Sequence, residues 1–176
     1  MPSNVYKNLI GFGDSLIERI GNVLNILIIA LVCVVIVVVI GRYFFEIGSV
    51  ALQELATYLH ATIFMLGISY TLKHDGHVRV DIFYRNFSEK KQALINVVGG
   101  LVFVLPISTF VGWSSWEYVL ASWSIMETST ENNGLPFIYL LKTVMLIMPS
   151  LLMIQGLVII VKNSVALYSS SLKSMK

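Results

Sequence analysis

The run VLNILIIALVCVVIVVVI, residues 23–40, carries no charge and is built almost wholly from aliphatic side chains. A bilayer core about 30 Å thick is crossed by roughly 20 apolar residues of helix, because a helix pairs its backbone amides internally where no water can. The run passes into Gly41-Arg42-Tyr43-Phe44-Phe45 with no small-residue cleavage pattern. It therefore reads as a retained span, not a removable signal segment.

Working outward, three further stretches meet the same length and polarity test. One lies at about 54–72, around LATYLHATIFMLGISYTL, one at about 92–113, around ALINVVGGLVFVLPISTFVGW, and one at about 135–161, LPFIYLLKTVMLIMPSLLMIQGLVIIV. The expectation is an all-α integral membrane protein with four transmembrane helices, its spans at about 21–41, 54–72, 92–113 and 135–161. No stretch between them is long enough for a separate soluble domain, so residues 1–176 are expected to form a single membrane domain.

Composition agrees with that reading. The chain is 56% hydrophobic and only 12% charged, about half the charge share of a soluble domain. A net charge of +2, with no basic face, gives no case for a nucleic-acid partner. Cys33 is the one cysteine and lies inside an apolar run, which excludes a disulfide framework and a thiolate metal cluster.

Placement of the bases assigns sides. Lys7 and Arg19 precede the first span, Lys73, Arg79, Arg85, Lys90 and Lys91 lie between the second and third, and Lys162, Lys173 and Lys176 follow the fourth. The opposite side has Arg42 alone, and residues 113–134 hold Glu117, Glu127 and Glu131 without Lys or Arg. By the positive-inside rule both termini are expected in the cytoplasm.

The flanks carry weaker patterns. Leu9, Phe12, Leu16 and Ile20 recur at helical spacing, which suits either an interfacial amphipathic helix or a simple extension of the first span. FFEIGSVALQE, residues 44–54, is a candidate second interfacial piece, with Ser49 a candidate cap. Trp113, Trp116 and Trp123 fall on one side of a helix. An aromatic belt at the membrane boundary accounts for them, and a docking ridge for a partner is the sharper alternative. Pro106 and Gly99-Gly100 imply a bend and a close helix contact.

Ionisable groups within hydrocarbon are costly and need a reason. Lys142 sits about seven residues into the fourth span, where it either snorkels or pairs with Glu54 or Glu117, its alternative being a substrate or ion role. Glu54 is expected at the boundary. His60 is expected to hydrogen-bond to a neighbouring helix, its alternative role being a haem ligand. Bis-histidine haem ligation needs a second intramembrane histidine, and the sequence has none.

The loop KHDGHVRVD, residues 73–81, is the most polar stretch. His74 and His77, with Asp75 and Asp81, have the spacing of a metal pair. Zinc needs three or four converging ligands, usually on a rigid element, and this loop has no cysteine and a central Gly76. No metal site, cofactor or catalytic constellation is expected, and the chain does not read as an enzyme.

Taken together, the four spans, ALQELATYLHATIFMLGISYTLK, the loop HDGHVRVDIFYRNFS and a long third helix ending in tryptophans resemble the small Q-type (DctQ-like) membrane subunit of TRAP transporters, the tripartite ATP-independent periplasmic transporters of bacteria. The resemblance covers about residues 20–165 and is most specific at HVRVD, 77–81. It implies a multi-pass protein of the bacterial inner membrane within a sodium-coupled system for uptake of a small organic anion. The implied partners are a large M-type membrane subunit, a periplasmic substrate-binding protein and membrane lipids. Transport and ion sites belong to the large subunit, and the small one scaffolds it.

On that basis His77, Arg79, Asp81 and Arg85 form a cytoplasmic docking and anchoring element, in which each base near the headgroups contributes about 1 kcal/mol. Trp113, Trp116 and Trp123 form an outer contact. Glu54, His60 and Lys142 make intramembrane polar contacts. The alternatives from other classes are a haem- or quinone-associated anchor of an oxidoreductase and a free-standing small multidrug-type exporter. The exporter would be expected to carry a membrane-embedded acid, whereas Glu46 and Glu54 both fall at an edge.

Overall fold

A computed structural model describes residues 3–76, 84 and 86–174. Among them the chain forms four long helices and no strand: α1 (Ser3–Phe44), α2 (Val50–Lys73), α3 (Glu89–Ser124) and α4 (Ile138–Ser174). Each is long and apolar enough to cross a membrane.

At 42 residues, α1 is about 63 Å long, roughly twice the hydrocarbon thickness. The N-terminal segment continues the first span as one helix. Its packed stripe is not the Phe12, Leu16, Ile20 series, since Phe12 is 68% exposed. Gly13, Ile17, Gly21 and Leu24 are buried instead. The glycines explain the choice: a Cβ on Gly13 would lie 2.6 Å from Val158, and one on Gly21 would collide with the Tyr70 ring. Small residues there admit large side chains from α4 and α2.

Between α1 and α2 the chain is not helical. Residues 45–49 form a short connection, and Ser49 caps α2 by accepting from Leu52 N at 3.3 Å. Such a cap satisfies one of the amides that a helix start leaves unpaired.

Within α3 the turn Gly100–Val104 widens to π geometry, with Leu105 N donating to Gly100 O. Pro106 accounts for it, because its ring crowds the carbonyl four residues back and its nitrogen donates nothing. The close contact expected of the glycine pair belongs to Gly100, which faces Ile160 and the Gly156 carbonyl of α4, whereas Gly99 faces open space.

Helix α4 is the hub. α1 and α2 pack on each other and on α4, and α3 packs chiefly on α4. At the end bearing both termini, Lys73 is bonded to Glu18 and to the Asp14 carbonyl (2.8 Å), and Lys162 reaches Asp14 at 2.5 Å. Asn96 joins α3 to Asn163 of α4 at 3.2 Å, and the Tyr84 hydroxyl donates to Asn96 at 3.1 Å.

Two helices end in the same way. At α2, Gly76 N reaches Thr71 O (2.9 Å) and Asp75 N reaches Leu72 O (3.4 Å); at α3, Glu127 N reaches Ser122 O (3.0 Å) and Met126 N reaches Trp123 O (3.2 Å). These are Schellman closures, whose left-handed position is normally glycine. Here Asp75 (φ 53°) and Met126 (φ 45°) occupy it. A left-handed L-residue costs about 1–2 kcal/mol, partly offset by the backbone entropy glycine loses on folding. Met126→Gly should therefore stabilise the fold by about 0.5–1 kcal/mol, read as a higher unfolding temperature in detergent. An unchanged or lowered midpoint would count against the strain argument.

Candidate functional site

Two of the three polar side chains expected within the spans, Glu54 and Lys142, converge on the end away from the termini, where residues 125–137 link α3 to α4. α4 starts at Ile138, so Lys142 lies little more than one turn inside the helix. Its partner is Glu127, at 2.5 Å, in place of the expected Glu54 or Glu117. The ammonium also sits 4.0 Å from the Tyr118 ring centroid, a cation–π contact that favours a partly desolvated charge. Lys142 is only 14% exposed. It is paired, not snorkelling.

Glu54 serves the same loop. Its carboxylate accepts from the Ser129 hydroxyl and from Leu135 N at 2.5 Å. Ser129 N in turn donates to Leu135 O at 3.1 Å, and Glu131 N donates to Ser129 Oγ at 3.1 Å. One acid on α2 thus gathers both ends of the connection. Asn133, at φ 63°, makes the turn between them, a conformation asparagine tolerates better than most residues.

The tryptophans divide. Trp123 turns onto α4, its indole donating to Thr143 Oγ1 at 2.8 Å and meeting Tyr139 edge-on at 4.8 Å. Trp113 and Trp116 are 83% and 55% exposed. They line a groove of about 910 Å³ between α3 and α4, with Ser108, Gly112, Pro149 and Met153. The spacing argument put all three indoles on one side, but the contact with α4 takes only the last.

His60 makes no hydrogen bond to another helix among the described residues. It lies exposed, its ring stacked 6.4 Å from Phe64. His74 has Nε2 3.2 Å from Glu18 Oε2 and its ring 4.4 Å from Tyr70. His77, Arg79, Asp81 and Arg85 lie outside the described residues.

Several partners escaped the sequence reading. Glu127, Ser129 and Tyr118 close the loop clamp, and Asp14 and Glu18 close the one at the terminal end. Gln155 is 1% exposed in mid-span, with its Oε1 unpaired among the described residues. The usable signal was that Glu127 borders the loop leading into Lys142; choosing it over Glu117 or Glu131 required the path of that loop.

Lys142 holds the Glu127 carboxyl below the usual carboxylate range, chiefly through their hydrogen bond. For an acid whose folded value is depressed, the stabilisation is complete above the unfolded value and is lost as pH falls through the folded one. Loop 125–137 should stay protected from hydrogen exchange through the usual carboxylate range and open only at lower pH. Glu127→Gln should remove that pH dependence. Opening of the wild-type loop already above pH 5 would contradict the assignment.

Residues 31–165 match the family model of the tripartite ATP-independent periplasmic transporters, DctQ component. The chain belongs to that family. It is the small subunit of a TRAP transporter, a transport component and not an enzyme, and a multi-pass protein of the inner membrane. No curated protein matches it. The DctQ match takes in the loop clamp and α2, whereas Asp14 and Glu18 at the terminal end lie before it. Membership in this family does not favour the haem-anchor alternative.

Proposed function

We propose that this DctQ chain scaffolds a large M-type subunit in sodium-coupled uptake of a small organic anion, which a periplasmic binding protein delivers. The observation carrying the reading is the commitment of the intramembrane charges. Lys142 is taken up by Glu127 and Tyr118, and Glu54 by Ser129 and Leu135. Groups that hold a loop in place are not free to follow a substrate or an ion through a transport cycle, and a substrate-bearing core is typically built on discontinuous helices at the midplane.

The excess of Lys and Arg beside both termini and between α2 and α3 supports placing that end in the cytoplasm. There Arg79, Asp81, Arg85 and His77 serve docking and headgroup contact, and at the opposite end Trp113 and Trp116 are the indoles left for a partner. Purification through a tag on this chain should recover the large subunit in equal amount. Proteoliposomes holding both, supplied with binding protein, should accumulate substrate only under a sodium gradient. Transport that persists when this chain is omitted, or that ignores sodium, would overturn the proposal.

A further inference from the structure

We propose that the exposed face of α2 is a seam for a transmembrane helix of the large subunit, and that this helix offers a hydrogen-bonding side chain to the His60 imidazole. The proposal rests on the scaffold reading above and adds to it the face and the chemistry of contact.

In α2 the exposed residues are Gln53, Thr57, His60 and Phe64. Offsets of four, three and four put them in one stripe along the helix. His60 is ten residues from the helix start at Val50, about 15 Å along the axis, and so within about one turn of the midplane. An imidazole there is too short to reach either boundary. Polar side chains at such depth face protein or a water-filled cavity, because acyl chains offer neither donor nor acceptor. His60 faces outward and finds no hydrogen-bond partner among the described residues, so the partner must come from another chain.

Most other exposed surfaces make no such demand. The outward face of α1 presents Val23, Ile26, Ile29, Val32 and Ile36, which lipid satisfies, with the exposed amide of Asn25 toward the terminal end. On the α3–α4 groove, Ser108, Thr109, Ser114 and Ser150 each donate to the carbonyl four residues back on their own helix. Thr57 does likewise to Gln53 O. Gln155, though unpaired at Oε1, is buried inside the bundle; His60 is the outward-facing polar side chain near the midplane of the α2 stripe that is left without a hydrogen bond among the described residues.

The test places a photo-crosslinking benzoylphenylalanine at position 57 or 64, and at Ile29 as a control, in the assembled transporter in native membranes. Positions 57 and 64 should yield an adduct with the large subunit, and Ile29 only lipid. His60→Leu should lower recovery of the large subunit roughly three- to fifteen-fold, the range of single intramembrane hydrogen bonds. It should leave the melting of the isolated chain unchanged, and His60→Gln should restore most of the recovery. Adducts from 57 and 64 with lipid alone or with a second copy of this chain, or normal recovery with His60→Leu, overturn the seam while leaving the scaffold reading intact. If the large subunit fails to co-purify with the unaltered chain, both fall.

Discussion

Gly156→Leu is expected to cost about 3 kcal/mol of fold stability and to free α3 from the bundle. A Cβ at 156 would stand 2.7 Å from Val104 Cγ1 and 3.6 Å from a Leu105 methyl. Across the same crossing, a Cβ on Gly100 would stand 2.6 Å from Ile160. The two glycines let the backbones approach, and in lipid that approach is itself the source of stability, since no hydrophobic force drives apolar helices together. Because α3 packs chiefly on α4, no second helix would hold it once the crossing is wedged open. Gly100→Leu should act alike. Gly99→Leu, one residue away with nothing within 4 Å, should change stability by less than about 0.5 kcal/mol. Unfolding titrations in mixed micelles can rank the three, and equal effects at 99 and 100 would sink the argument.

That pair shows where sequence reading runs out. Gly99-Gly100 announced a close contact, but which glycine makes it depends on rotation of the helix, and the π turn before Pro106 resets that rotation. The four spans were legible because hydrocarbon imposes a length and a polarity that the residues must meet. Helix ends were less so: α1 and α3 stay helical beyond the apolar stretch, since leaving hydrocarbon removes the need for apolar side chains but not the hydrogen-bond ladder. α4, by contrast, starts at Ile138, just after the loop. That shift of a few residues took Lys142 from about seven residues into the span to little more than one turn from the loop, where Glu127 meets it.

The candidate site was half legible for a related reason. Residue type and depth picked out Glu54, His60 and Lys142 as groups needing partners. Neither property says which way a side chain faces. Glu54 and Lys142 turned toward the loop, while His60 turned outward, and only a packed structure separates these outcomes. The family resemblance reached further than the residue-by-residue reading, because a pattern running over residues 31–165 marks a class without specifying a geometry.

Glu54→Leu is expected to release the connection between α3 and α4. The carboxylate is the common acceptor for the Ser129 hydroxyl and Leu135 N, and hydrogen bonds to a charged acceptor contribute about 1.5–3 kcal/mol each. Leucine removes both and leaves the part-buried Leu135 N–H without an acceptor, so the loss should be about 2–4 kcal/mol after partial rescue by water. Glu54→Gln is the discriminating companion. Its amide oxygen can take Leu135 N–H while its NH₂ donates to Ser129 Oγ, which limits the cost to about 1 kcal/mol. Hydrogen exchange across 127–135 should rise strongly for leucine and slightly for glutamine, with the terminal-end pairs Lys73–Glu18 and Lys162–Asp14 undisturbed. If instead both variants loosen the loop equally, the negative charge at Glu54 and not its hydrogen-bond geometry holds the loop. If neither does, Lys142–Glu127 suffices alone, and the two clamps are redundant.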